Sequence, residues 1–145
     1  MKGSIPWLLL GLGLVGCNES PSAASQIPNV AGMYTGPVTM TVDGTIAGLN
    51  AMSLTVTQVG EQVSITGSML AAGQTVVLPA MNGTVNATGF FTLTSGSWTS
   101  EYDALCGNHR LIDGSLTFSD RNAQYVKHEA TDFCGSWALT GTLTR

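Results

Sequence analysis

Charge is what this chain of 145 residues has least of: five lysines and arginines against nine aspartates and glutamates. With so few cations no basic patch can form, so nucleic acid is not an expected partner. Cysteine is nearly as scarce, at three residues, and no two stand as Cys-x-x-Cys. That removes the paired-cysteine zinc and thioredoxin-type readings. The sequence also lacks His-Glu-x-x-His, a Ca²⁺-loop pattern and a Gly-x-Ser-x-Gly elbow. No motif with a mechanism behind it is present, so no enzymatic activity and no bound cofactor are expected. Apolar runs fall short of the ~20 residues that a membrane-spanning helix needs. No amphipathic helix of useful length can be drawn anywhere.

What is there begins at the N-terminus. Lys2 precedes an apolar run (Ile5, Trp7 to Leu10, Leu12, Leu14, Val15), and the composition then flips to Cys17-Asn18-Glu19-Ser20-Pro21. A basic head, a short apolar region and a small residue before the break describe an export signal. Leu14-Val15-Gly16-Cys17 resembles the lipobox of bacterial lipoproteins. The resemblance implies that residues 1–16 are a cleaved signal peptide. It also implies that Cys17 begins the mature chain and carries covalent diacylglycerol and an N-acyl chain. Two or three acyl chains anchor firmly where one is marginal, because each buried CH₂ adds about 0.8 kcal/mol. Asn18, where the enterobacterial version of the family uses Asp for inner-membrane retention, points to the outer membrane. The expected location is therefore the bacterial cell envelope, with the membrane as a partner through the lipid. The competing reading is an ordinary secretory signal cut near Ala23-Ala24.

With Cys17 assigned to lipid, Cys106 and Cys134 remain, and an exported domain meets an oxidising compartment. A Cys106–Cys134 disulfide follows. Residues 17–29, rich in Ser, Pro and Ala and without periodicity, read as a flexible lipidated tether, and 30–145 as one domain.

From Val30 onward the period is two. Tyr34, Val38, Met40 and Val42 share one face of a strand. Met52, Leu54 and Val56 alternate with Ser53, Thr55 and Thr57, and Val63, Ile65 and Met69 with Ser64, Thr66 and Ser68. Gly60-Glu61 between those runs fits a two-residue hairpin. Asp43-Gly44, Asn86 to Gly89 and Ser119 to Asn122 read as turns, and Pro79 marks an edge, bulge or break. Phe91 and Leu93 face one way, Ile112, Leu116 and Phe118 form a further set, and Trp137, Leu139 and Leu143 close the chain. Glycines recur inside strands at Gly67, Gly83, Gly114 and Gly141, where a sheet that closes on itself needs bends. The expected fold is all-β: a small antiparallel up-and-down β-barrel of about eight or nine strands, with a β-sandwich as the alternative.

Gly32-Met33-Tyr34 on the first strand resembles the Gly-x-Trp opening of lipocalin-like (calycin) barrels, with Tyr in place of Trp. The resemblance implies that Arg145, on the last strand, packs over that ring, and that the barrel mouth has room for a small apolar molecule. The plainer reading is a glycine–aromatic pair opening a barrel filled by its own side chains.

Charges gather around the two later cysteines: Glu101, Asp103, His109, Arg110, Asp113, Asp120, Arg121, Lys127, His128, Glu129 and Asp132. They could supply metal or polar-ligand contacts, but no spacing supports one; solvated residues at one end of the domain are the simpler expectation. Glu101 and Asp103 share a strand face by period-two geometry, which alone does not make a hydrolase. Thr-x-Thr at Thr39, Thr55, Thr92 and Thr142 is too irregular for an ordered array and suits the solvent side of strands. Trp98, Tyr102, Tyr125, Phe133 and Trp137 are expected in the core. The function expected from all this is a non-catalytic binding or interaction module on an envelope lipoprotein, with an envelope protein or a small apolar ligand as its partner. The alternatives are a lipocalin-like carrier and, behind it, a metal-binding or hydrolytic domain using the charged region 101–132.

Overall fold

The computed structural model describes residues 26–94, 101–103 (backbone) and 105–145. Cys17, Trp98 and the side chain of Tyr102 lie outside the described residues. Nine strands form one antiparallel sheet: β1 (Gly32–Val42), β2 (Thr45–Val59), β3 (Gln62–Ala71), β4 (Gln74–Thr84), β5 (Phe90–Thr92), β6 (Glu101–Asp103), β7 (Gly107–Ser119), β8 (Asn122–Thr131) and β9 (Ser136–Thr144). Their spatial order is β4-β3-β2-β1-β9-β8-β7-β5, with β6 on β7. The chain therefore runs up and down, and β9 returns beside β1. The sheet curls strongly into a half-barrel. Its two flanks meet where Val85 bridges Phe91 across the Asn86–Gly89 turn. There is one continuous sheet, not the two facing sheets of a sandwich.

The turns carry the up-and-down order. Asp43-Gly44 and Ala72-Gly73 each place two successive residues at positive φ (48° and 79°; 49° and 78°), the backbone of a hairpin turn whose twist matches its strands. Gly60, at φ 61°, opens the predicted Gly60-Glu61 turn. Pro79 sits in a bulge: Gly67 pairs with Leu78 and Ile65 with Met81, so two residues of β4 oppose Thr66.

The core lies on the concave face, where the alternation puts Tyr34, Val38, Met52, Leu54, Val56, Val63, Ile65, Met81, Phe91, Leu116, Tyr125 and Leu143. Burying each large apolar side chain contributes about 1.5–3 kcal/mol. Strands must approach closely to curl this tightly. A Cβ on Gly141 would stand 2.8 Å from Val38 Cγ1 and 2.9 Å from Val38 Cα, as well as against the Pro37 carbonyl. Only glycine lets β9 lie on β1 there.

Two sequence expectations need correction. Ile112 does not share a face with Leu116 and Phe118: β7 has a register shift between Leu111 and Asp113. Ile112 sits at that bulge and is 58 % exposed. Phe133 is not core but 78 % exposed, while Tyr125 is fully buried and Trp137 is half-buried.

Candidate functional site

The half-barrel has two chemically different ends. One holds the start of β1 and the end of β9. There Tyr34 is buried and its hydroxyl donates to the Val30 carbonyl (2.9 Å). The Arg145 guanidinium lies over the Tyr34 ring, 6.0 Å from its centroid. Arg145 Nη1 donates to the carbonyls of Ala31 (3.0 Å) and Asn29 (3.4 Å), and Nη2 donates to that of Asp120 (2.9 Å). Burial pushes the Tyr34 phenol up, with the Arg145 charge opposing. Phe118 packs against Tyr34, ring centroids 5.4 Å apart. An open cleft of about 530 Å³, lined by Pro28, Tyr34, Ala87, Thr88, Phe118 and Arg121 among others, sits beside this closure. The chain entering the domain is fixed here too. Gln58 takes the Val30 N–H on its Oε1 (2.7 Å) and donates to the Pro28 carbonyl (3.0 Å), and Ile27 packs against the core.

The opposite end carries the chemistry. Register alone puts it inside: along β8, Tyr125, Lys127, Glu129 and Thr131 occupy the face that pairs with Gly141, Leu139 and Trp137 of β9 and with His109 and Leu116 of β7. Lys127 and Glu129 are therefore both buried, and Lys127 Nζ stands 2.6 Å from Glu129 Oε1. Glu129 Oε2 lies 3.5 Å from Nδ1 of His109, which is also buried. The His109 ring meets the Trp137 ring edge-on, centroids 4.8 Å apart. Taking two charges out of water costs several kcal/mol each, so such a pair persists only when its geometry offsets that loss. Two further buried donors have no hydrogen-bond acceptor among the described residues: Asn50 Nδ2 and Trp137 Nε1. Buried polar atoms of that kind are uncommon.

This end is framed by the Cys106–Cys134 disulfide, Cα atoms 5.0 Å apart, as the cysteine count predicts. Around it Phe133 N–H donates to the Cys106 carbonyl, and Thr131 Oγ1 caps the loop by donating to Gly135 O and accepting from Cys134 N–H. The β8–β9 loop is also tied to the β1–β2 turn. Asp43 N–H donates to Ser136 O, and Ser136 N–H donates to Asp43 Oδ1, both at 2.8 Å.

The remaining charged residues of the region face outward. Asp132 accepts from Asn108 N–H (3.1 Å), Asn108 Nδ2 (2.9 Å) and Arg110 Nη1 (2.9 Å). The Asn108 donors, with Arg110 adding to them, hold its carboxyl below the usual range. Asp113 and His128 meet at 2.5 Å on the convex face. His109 and His128 are thus on opposite sides of the sheet. Asp120 and Arg121 form the exposed β7–β8 turn. Among the described residues no three His, Cys, Asp or Glu side chains gather as metal ligands. Glu101 pairs with His109 and Asp103 with Gly107 in backbone register.

The expectation of a solvated charge cluster is thus corrected for His109, Lys127 and Glu129. The missed signal was the odd-numbered register of β8. Once Tyr125 is inward, Lys127 and Glu129 must follow. Asn50 obeys the same logic two residues before Met52.

In chemical terms this end is a buried ion pair with His109 and the Trp137 ring beside it. Comparison with known proteins finds no matching family model, no matching curated protein and no matching solved structure.

Proposed function

We propose that the chain is a lipoprotein of the bacterial cell envelope, anchored in the outer membrane through acyl chains on Cys17. Its all-β domain then serves as a non-catalytic binding or interaction module. The observation that carries this reading is Leu14-Val15-Gly16-Cys17 directly behind a short apolar run with a basic head. The Cys106–Cys134 disulfide supports it, since such bridges persist in oxidising compartments. The interior supports a module over a carrier of small apolar ligands. At the level of Val56 and Ile65 the concave face is filled by Leu54, Met52, Met81 and Phe91, all buried. The carrier reading keeps one observation in its favour, the stacking of Arg145 over Tyr34.

Metabolic labelling with a fatty acid tests the anchor. The wild-type chain should incorporate label and sediment with membranes, and Cys17→Ser should lose both. Equal labelling of the two would refute acylation at Cys17. A fluorescent fatty acid offered to the domain separates module from carrier: saturable binding weakened by polar substitution at Val56 or Ile65 would favour the carrier.

A further inference from the structure

The exposed apolar side chains of the disulfide end carry an inference that rests on the lipoprotein reading above. Leu105 and Phe133 are 84 % and 78 % exposed. Each immediately precedes a cysteine of the bridge, so two large apolar tips stand on loops fixed to one another by a covalent bond. The Phe133 ring lies over Gly107, where an added Cβ would come within 3.0 Å of Cε2. Ile46, 74 % exposed, leaves the β1–β2 turn that Asp43 ties to Ser136. Holding apolar side chains out in water on a rigid frame loses burial that a looser loop could recover. A surface of this kind is pre-ordered for contact, with little further entropy to lose on binding.

Among the described residues, the carboxylates of this rim already have donors. Asp132 is held by Asn108 and Arg110, and Asp43 by Ser136. With those carboxylates engaged, the uncommitted part of the described rim is apolar, and it matches an apolar patch on a partner.

Where the chain enters decides what lies opposite. Pro28 and Asn29 are pinned at the Arg145 end, so ten residues, Cys17 to Gln26, separate the lipid from the domain. Such a segment spans about 35 Å fully extended and about 17 Å on average as a flexible chain. β1, at 11 residues, sets a domain height of roughly 25–30 Å once strand tilt is allowed for. Laying the disulfide end on the anchoring membrane would stretch the tether to nearly its full length. At ordinary tether lengths that end faces away.

We infer that Leu105, Phe133 and Ile46 form a docking surface for a protein partner on the membrane-distal side, whose contacting patch is aliphatic or aromatic and weakly charged. The test uses the full-length protein in its host envelope, with a photo-crosslinking amino acid in place of Phe133 or, as the control, of Val59. Val59 is also exposed but is the last residue of β2, at the other end. The expected result has three parts: the probe at 133 links to one discrete protein, that link falls at least fivefold with Leu105→Ser and Ile46→Ser, and its yield is unchanged between low and high salt. Equal linking from 59, a yield that collapses in salt, linking to lipid, linking to a second copy of this chain, or no link at all would each overturn the proposal. Variants with unchanged melting temperature are used, so that loss of linking is not loss of fold. Intact mass of the same samples reports acylation of Cys17 separately. A chain without acyl groups overturns the anchoring reading, and with it the membrane-distal orientation, whatever the crosslinks show.

Discussion

Lys127 and Glu129 stand two residues apart on one strand, so one cannot be inside without the other. Their pair sits where a purely apolar lining would be cheaper, which makes single and double replacements informative. Removing one partner takes the direct counter-charge from a buried charge and is expected to cost about 3–5 kcal/mol, whereas a double apolar replacement of matched volume runs from neutral to stabilising. In urea denaturation, Glu129→Gln and Lys127→Met should each lower the midpoint sharply. Lys127→Met combined with Glu129→Leu should recover most of it. A double variant as weak as the worse single one would mean that the pair is not an isolated unit. Hydrophobic patterning did not disclose these residues because it assigns charged side chains to solvent by type, while register assigns them by position. Asp132 gives a second test at this scale. Its carboxyl is held low in the folded state, so it contributes stability above the ordinary carboxylate range, and that contribution is lost as pH falls through the folded-state value. Asp132→Asn should flatten the acid limb of a melting temperature against pH curve. An unchanged acid limb would remove Asp132 from the account.

At the scale of the element, most of the fold was legible. β3, β5, β9 and the stretches of β1 and β2 from Gly32 to Val38 and from Asn50 to Thr57 follow the alternation, while an extra residue at Ala47 shifts the β1–β2 register near their turn, and the turns fall where Asp-Gly, Gly-Glu and Asp-Arg break the pattern. β7 was misread because a single extra residue at Ile112 exchanges the two faces. Two adjacent apolar residues, Leu111 and Ile112, let a period-two pattern run through either one, so the bulge is not visible in it. Glycine was read as a place of bending, and its physical cause is the crowding of β9 on β1 at Gly141. Gly141→Val should destabilise by about 2–3 kcal/mol through overpacking. Gly48→Ala, where an added Cβ meets nothing closer than Asn50 Oδ1 at 4.0 Å, should stay within about 0.5 kcal/mol. Chemical denaturation of the two variants side by side checks the contrast, and equal effects would show that Gly141 is not a point of close approach.

The whole molecule is divided by charge as well as by chemistry. Between residues 26 and 94 its only charged side chains are Asp43 and Glu61, so the β1–β5 wall has no cation. After Lys2 every lysine and arginine belongs to β7, β8, the turn between them, or Arg145. Lys127 is buried, and Arg110 lies within a paired strand. That leaves Arg121, in the exposed β7–β8 turn, as the accessible internal site for a protease that cuts after basic residues. Cys106 and Cys134 fall on either side of it. Limited trypsin treatment of the native domain should therefore cut once, yet leave a product that migrates whole without reductant. With reductant that product should separate into a large piece ending at Arg121 and a small piece beginning at Asn122. Two pieces in the absence of reductant would mean that the cysteines are not joined. The bridge that fixes the apolar tips thus makes an exposed turn of the domain a position where the chain can be severed without coming apart.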